Sequence, residues 1–524
     1  MPGDNLFSGP GAPSRACHNC RQRRLRCVAV AGIYGALADG SISGSVFVVT
    51  RCDRSVPACR KCSSTGEACR GYGVVLRWAN GPALRGKLAA TKGEAGDELK
   101  TPSAGIMRKV YGPNMAILPS PSDPLLAHLS RDSRSYVHHF STAVCQDLVS
   151  FDQPDRNPFR HILPLAAGFD FLEAILVAKG AMHLAALRAC DSELGGPELV
   201  DALVAKGRAI RRLRAAVEAV MPATEPVVLA ATVFLVNLEL IDSGRGAWQP
   251  HMAAAGALMP SLLSPQFATL DSSLAACVNA IAADFLTYRV LGAAINGVSL
   301  NSSWSTASSQ AEFLCVLRRA EAHAYHCCPP EILQVMLEAS SLCESSAPRN
   351  RIEHAETLLL RACAFDVVHW VRNIRGLSDR DDLGVRVSVA SAHRAAACLY
   401  LLLAVPETAE GTSFPSLTVD GLVREVLEHL EAVPVGHVHL KGTIWPTFVA
   451  GAQADDPAQR AWCAGRMRAL GSSNPWACPW GYIRTAARVM EQLWEARDKA
   501  AAAGGTKSNW LMEVKRMRGK YLIV

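Results

Sequence analysis

Strand-type alternation is nearly absent from the 524 residues, and so are the local signatures of nucleotide and acyl chemistry. No glycine-rich phosphate loop and no nucleophile elbow occur, which leaves an enzyme without a convergent catalytic set. Charge is scarce: charged residues make up 19% of the chain against 49% hydrophobic. That balance excludes an intrinsically disordered chain and predicts a large buried core. No secretory signal is expected, because residues 1–14 are polar and rich in Gly and Pro. A membrane span needs roughly 20 mostly apolar residues. The most membrane-like run, Val28 to Thr50, is broken by Asp39, Gly40, Ser41, Ser43, Gly44 and Ser45. The very apolar stretch Pro226–Ile241 is short and contains Asn237 and Glu239, so a buried core helix is expected there and no membrane contact.

Cysteine is abundant and uneven. Of 18 in the chain, seven fall between Cys17 and Cys69, as Cys17, Cys20, Cys27, Cys52, Cys59, Cys62 and Cys69. Two C-x-x-C knuckles, Cys17/Cys20 and Cys59/Cys62, have the spacing at which two thiolates grip one tetrahedral ion. Four arginines, Arg21, Arg23, Arg24 and Arg26, follow Cys20 within six residues. The net charge of +7 is concentrated here: Arg15 to Trp78 holds eleven Lys/Arg against three acids. The remainder of the chain is close to neutral. A metal site with a basic helix attached points to nucleic acid. The other cysteines are scattered through apolar helical stretches and read as small core residues of a reduced compartment.

The run Cys17-x2-Cys20-x6-Cys27 … Cys59-x2-Cys62-x6-Cys69, with Arg21, Arg23-Arg24, Leu25, Arg26 and Pro57, resembles the fungal Zn2Cys6 binuclear cluster of transcription regulators. The resemblance implies six thiolates holding two Zn²⁺, with Cys17 and Cys59 bridging, and recognition of a CGG-type half-site. Six thiolates and two zincs leave a charge of −2, which the arginines offset. So small a module has no core of its own, and metal binding supplies its folding energy, about 10–16 kcal/mol per structural zinc. Cys20 to Cys27 is expected to form a short helix. Arg23 and Arg24 are the best base readers, since a guanidinium fork matches guanine O6/N7. Arg21, Arg26, Arg60, Lys61 and Arg70 are assigned to phosphate contact or to balancing the cluster.

One feature departs from the family spacing. Thirty-one residues, Val28 to Ala58, separate the third and fourth cysteines, and Arg26-Cys27 recurs as Arg51-Cys52. Deleting Cys27 to Arg51 restores a six-residue gap, with Cys52 as third ligand. The deleted twenty-five codons have the length of a small fungal intron, and codons for Arg26-Cys27 and Arg51 can supply GT and AG borders. A retained intron is therefore the favoured reading of residues 28–51. The alternative is a genuine surface loop, tolerable because closure entropy grows slowly with length.

The chain is read as a small zinc-stabilised N-terminal module followed by a large all-α multi-helix regulatory domain. Residues 1–14 form a tail, 15–78 the DNA-binding module, 79–129 a Gly/Pro/Lys/Ser-rich linker, 130–500 the helical domain and 501–524 a C-terminal helix and tail. The linker shows no sustained heptad, so no dimerising coiled coil is supported, although a homodimer stays among the expected assemblies. Helical periodicity predicts, among others, Glu198–Met221 with a stripe of Leu199, Leu203, Ile210, Leu213 and Val217, and a single helix Arg351–Ile374. Asn157-Pro158-Phe159-Arg160, Leu163-Pro164-Leu165-Ala166 and Trp445-Pro446-Thr447-Phe448-Val449-Ala450-Gly451-Ala452 resemble the fungal-specific transcription factor domain of the acriflavine-sensitivity-regulator type.

Other motifs are weaker. Asp379-Arg380-Asp381-Asp382 has the make-up of a metal-binding acidic motif of helical terpenoid enzymes, but it follows Gly376 and Ser378 in a turn, and a solvated loop is favoured. His138 and His139 are adjacent on a predicted helix and face apart, which argues against one-metal chelation. The expected function is a nuclear, zinc-dependent, sequence-specific DNA-binding regulator of RNA polymerase II genes, with duplex DNA and the transcription machinery as partners. The alternatives are a zinc module for protein contact and a helical enzyme carrying an appended zinc module.

Overall fold

Among the described residues there is no strand, and β-pairing is confined to two isolated bridges, Val149 with Ala324 and Arg245 with Tyr521. The computed structural model describes residues 59–66, 69 and 126–524, the last without 190–195, 219–223, 247, 263–271, 297–306, 343–347, 407, 409–416, 473–477, 505–508 and 518. The insert 28–51 and most of the 79–129 linker lie outside the described residues. The chain divides into two units, Met1–Lys100 and Thr101–Val524. The first contributes α1 (Arg60–Ser64).

The second unit is an all-helical array. It runs through α2 (Arg131–His139), α3 (Asp170–Arg188), α4 (Pro197–Glu218), α5 (Glu225–Asp242), α6 (Trp248–Leu262), α7 (Ser272–Asn296) and α8 (Ala307–Ala320). It continues with α9 (Pro330–Leu342), α10 (Pro348–Ala364), α11 (Val367–Asn373), α12 (Leu383–Ala404), α13 (Val419–Glu431), α14 (Ile444–Gln453), α15 (Pro457–Leu470), α16 (Gly481–Ala502) and α17 (Trp510–Arg516). Local chemistry sets many of the starts. Ser130, Asp366, Asp382, Thr418, Asp456 and Asn509 each accept a hydrogen bond from a backbone N–H of the first turn that follows. Such a cap is worth about 1 kcal/mol. Asp366 also explains why Arg351–Ile374 is two helices and not one: the chain leaves α10 at Phe365 and Asp366 turns extended to cap α11.

The core forms around α5, where every residue from Pro226 to Ile241 is buried, as its composition predicts. Each fully buried Val or Leu there contributes about 1.5–3 kcal/mol. Its polar members are satisfied: Asn237 Oδ1 accepts from Lys179 Nζ at 3.0 Å, and Asn237 Nδ2 donates to the Tyr288 hydroxyl at 2.7 Å. Among the described residues, two helices are long and apolar enough in composition to cross a membrane, Ser273–Asn296 and Leu383–Ala404, yet 72% and 78% of their most apolar windows are buried inside the protein. Glycine permits the closest approaches. A Cβ on Gly180 of α3 would meet the Tyr136 carbonyl oxygen at 2.0 Å, and one on Gly481 would meet that of Asp242 at 1.9 Å. The C-terminal end of α5 and the start of α16 therefore touch backbone to backbone. Trp510, Leu522, Ile523 and Val524 are buried in the same core.

α4 corrects the periodicity reading. Its buried face is Ala202, Ala205, Ala209 and Leu213, whereas Leu203, Ile210 and Val217 point outward with Val200 and Val204. Small alanines let α4 lie close on α3, and that close packing outweighs the larger apolar area of the branched residues.

Candidate metal centre

Three of the proposed ligands are described, and they converge. The Sγ atoms of Cys59, Cys62 and Cys69 all lie within 4.8 Å of one another, with Cys59 and Cys62 buried and Cys69 half-buried. The local fold explains this. Cys59 precedes the short α1, so Cys62 returns one turn later on the same side. The Ser63 N–H donates to the Cys59 carbonyl at 3.1 Å and the Thr65 N–H to that of Cys62 at 3.2 Å. Gly66, at φ 68°, ends the turn in the left-handed conformation that glycine favours. Backbone donors already point at sulfur: the Cys62 N–H reaches Cys59 Sγ at 3.4 Å and the Cys59 N–H reaches Cys69 Sγ at 3.5 Å. Three soft sulfurs in this arrangement fit zinc.

Lys61 lies on α1. Cys17, Cys20, Cys27 and Cys52 lie outside the described residues, as do Arg21, Arg23, Arg24 and Arg26.

Two buried polar clusters among the described residues of the helical unit link distant helices. In the first, Asp381 turns inside the protein, while Asp379, Arg380 and Asp382 stay exposed in the solvated turn that the sequence suggests. Asp382 caps α12, and that turn directs Asp381 inward, where Arg386 Nη2 donates to its Oδ2 at 2.7 Å and His439 Nε2 to its Oδ1 at 2.6 Å. Arg386 Nη2 also donates to the Ser150 hydroxyl at 2.9 Å, and Cys327 Sγ sits 3.9 Å from His439 Nδ1. Cys327 stands alone among the described non-glycine residues in having positive φ, 51°. Burial alone would raise the Asp381 carboxyl, but His439 and Arg386 hold it below the usual range. Burial would lower His439, and Cys327 and Asp381 instead lift it to about 9. The cluster is a buried, charged clamp that joins α12 to the turn before α14.

In the second cluster, Asp147 Oδ2 accepts from His183 Nε2 at 2.9 Å and from Trp480 Nε1 at 3.1 Å. His183 Nδ1 pairs with His139 Nε2 at 2.9 Å. His138 and His139 do face apart, and His139 is buried against His183, its pKa pushed well below the usual value by burial and by the neighbouring ring. None of Asp147, His183, His439 or Arg386 carries a local sequence signal, because their partners lie up to hundreds of positions away. Trp370 Nε1 donates to Glu321 at 3.1 Å.

No solved structure matches this chain. Over its full length the chain is similar to the acriflavine sensitivity control protein acr-2 of Neurospora crassa, 39% identical over 625 aligned residues, which covers 100% of this chain and 99% of the relative. Residues 135–524 match the family described as fungal specific transcription factor domain. The matched span contains α3 to α17 and both buried clusters, so the helical unit is that domain, and the chain belongs to this family of transcription regulators and is not an enzyme.

Proposed function

We propose that the chain is a zinc-dependent, sequence-specific DNA-binding regulator. The observation that carries this reading is the convergence of Cys59, Cys62 and Cys69, at family spacing, in a chain whose helical unit is a fungal transcription factor domain. Cys17, Cys20 and either Cys27 or Cys52 would complete a six-thiolate set for two Zn²⁺. Zinc supplies structure here: it fixes the short recognition helix. Arg23 and Arg24 then read a CGG-type half-site in the major groove, while Arg21, Arg26 and Lys61 meet phosphates. Two half-sites would call for two copies of the chain. The partners are duplex DNA and the transcription machinery, and the working compartment is the nucleus. Metal analysis tests the reading. The purified module should hold two zincs per chain, and Cys59→Ala should lose both, because a bridging thiolate serves both ions. Loss of one ion only would refute the bridge. A gel shift on CGG repeats should vanish with chelator and return with zinc. A chelator-insensitive shift, or none at all with zinc bound, would favour a zinc module used for protein contact.

A further inference from the structure

Two thiols of the helical unit meet across a helix pair. Cys363, near the end of α10, and Cys398, in the second half of α12, bring their Sγ atoms to 4.0 Å. Cys363 is exposed to solvent, and Cys398 is 2% exposed behind it. Arg394 lies one turn before Cys398 on α12, held by Glu425 of α13 at 3.0 Å, and both charges act on the pair. From this geometry we propose that Cys363 and Cys398 form a peroxide-oxidisable disulfide site that ties α10 to α12.

The two thiols have different roles. The contact with Cys398, together with Arg394, lowers Cys363 to about 7, while the same contact and burial raise Cys398 well above the ordinary range. At neutral pH Cys363 therefore carries on the order of tenfold more thiolate than an ordinary cysteine. Most other described cysteines lack one of the two requirements. Burial raises the Cys145 and Cys463 thiols to about 12. Cys327 is lowered by Arg386 and His439 against its burial, but it is 1% exposed, out of reach of solutes.

The chemistry balances with hydrogen peroxide as the oxidant. The Cys363 thiolate attacks one peroxide oxygen and the O–O bond breaks, giving Cys363 sulfenic acid and hydroxide. The Cys398 sulfur then attacks the Cys363 sulfur; its proton and the sulfenic OH leave as water, and the S–S bond forms. Over both steps two thiols lose two electrons and two protons, and peroxide becomes two waters. The sulfurs must approach from 4.0 Å to about 2.05 Å, a shift within reach of side-chain rotation on two helices already in contact. The bond would close a loop containing α11, and an added thiol would reopen it.

The test uses the full chain loaded with zinc. It is treated with hydrogen peroxide, quenched with a maleimide, digested without reductant and read by mass spectrometry. A peptide pair joining Cys363 to Cys398, two hydrogens lighter than the sum and released by dithiothreitol, is the expected result. Exposed Cys315, which has no thiol partner at hydrogen-bond distance among the described residues, is the internal comparator and should react more slowly. Cys398→Ser should trap Cys363 as a sulfenic acid that a dione probe labels. Cys363→Ser, at a solvent-facing position, should abolish the link while leaving the fold intact, so a folding defect in the buried variant does not blunt the test. Oxidation of Cys363 to sulfinic acid beside a maleimide-labelled Cys398 would overturn the proposal, as would maleimide on both while Cys315 is oxidised. The readout is a peptide mass, so it stands or falls apart from the DNA-binding reading.

Discussion

Replacing Asp381 by asparagine would leave the buried Arg386 guanidinium facing a neutral amide and deprive His439 of its carboxylate. Breaking one partner out of a buried charged set costs about 3–5 kcal/mol, and urea denaturation of Asp381→Asn should show a loss of that size. The pH dependence is a sharper test. His439 titrates at about 9 in the fold, above the ordinary 6.5. Its contribution to stability is therefore complete below about pH 6.5 and is lost as pH rises through about 9. Wild-type stability should fall across that window, and Asp381→Asn should flatten the fall. An unchanged slope in the variant would show that the clamp is not what titrates.

The α4 helix offers the corresponding test for an element. Its two apolar faces compete for the core, and the alanine face lies inside. Leu203→Ser, on the outer face at 52% exposure, should change stability by less than about 0.5 kcal/mol. Ala209→Leu, at 0% exposure, should cost about 1–3 kcal/mol through overpacking. The reverse ranking in thermal melts would restore the periodicity reading. Much else was legible in the sequence at this scale. The strongly apolar α5 announced its burial, and the C-x-x-C spacing announced the convergence of Cys59 and Cys62. The face of α4 was not legible because periodicity locates a stripe but not its neighbour, and here small size governed packing. The inward turn of Asp381 was hidden for a related reason: Arg386 is close in sequence, but His439 and Ser150 are reached only through the tertiary fold. In the proposed DNA-reading element, Arg24→Ala should weaken binding to CGG-containing DNA by about 1–3 kcal/mol more than binding to random DNA. Lys61→Ala should weaken both alike and reduce the salt slope by about one. Equal losses on both DNAs for Arg24→Ala would make it a phosphate contact.

For the whole molecule, the insert sets the main contrast. On the proposed zinc-binding reading, with residues 27–51 present Cys27 and Cys52 would compete for one ligand position, and Cys27 should win because ring closure from Cys20 is shorter. The apolar run Val46–Val49 should then lower soluble yield. Expression of the long and short chains with zinc, compared for yield, metal content and DNA affinity, decides this, and equality in all three would mark the insert as a tolerated loop. The meeting of Gly481 with Asp242 has a consequence for synthesis in the cell. α5 is buried on every side, yet α16, which closes over its end, lies roughly 240 residues later in the chain. At about 5–20 residues per second, the ribosome needs some tens of seconds to make that stretch. For that time a largely apolar helix waits without its final cover. The abundance of this regulator should therefore follow chaperone supply and the pace of translation, and slow codons between α5 and α16 would lengthen the exposed interval.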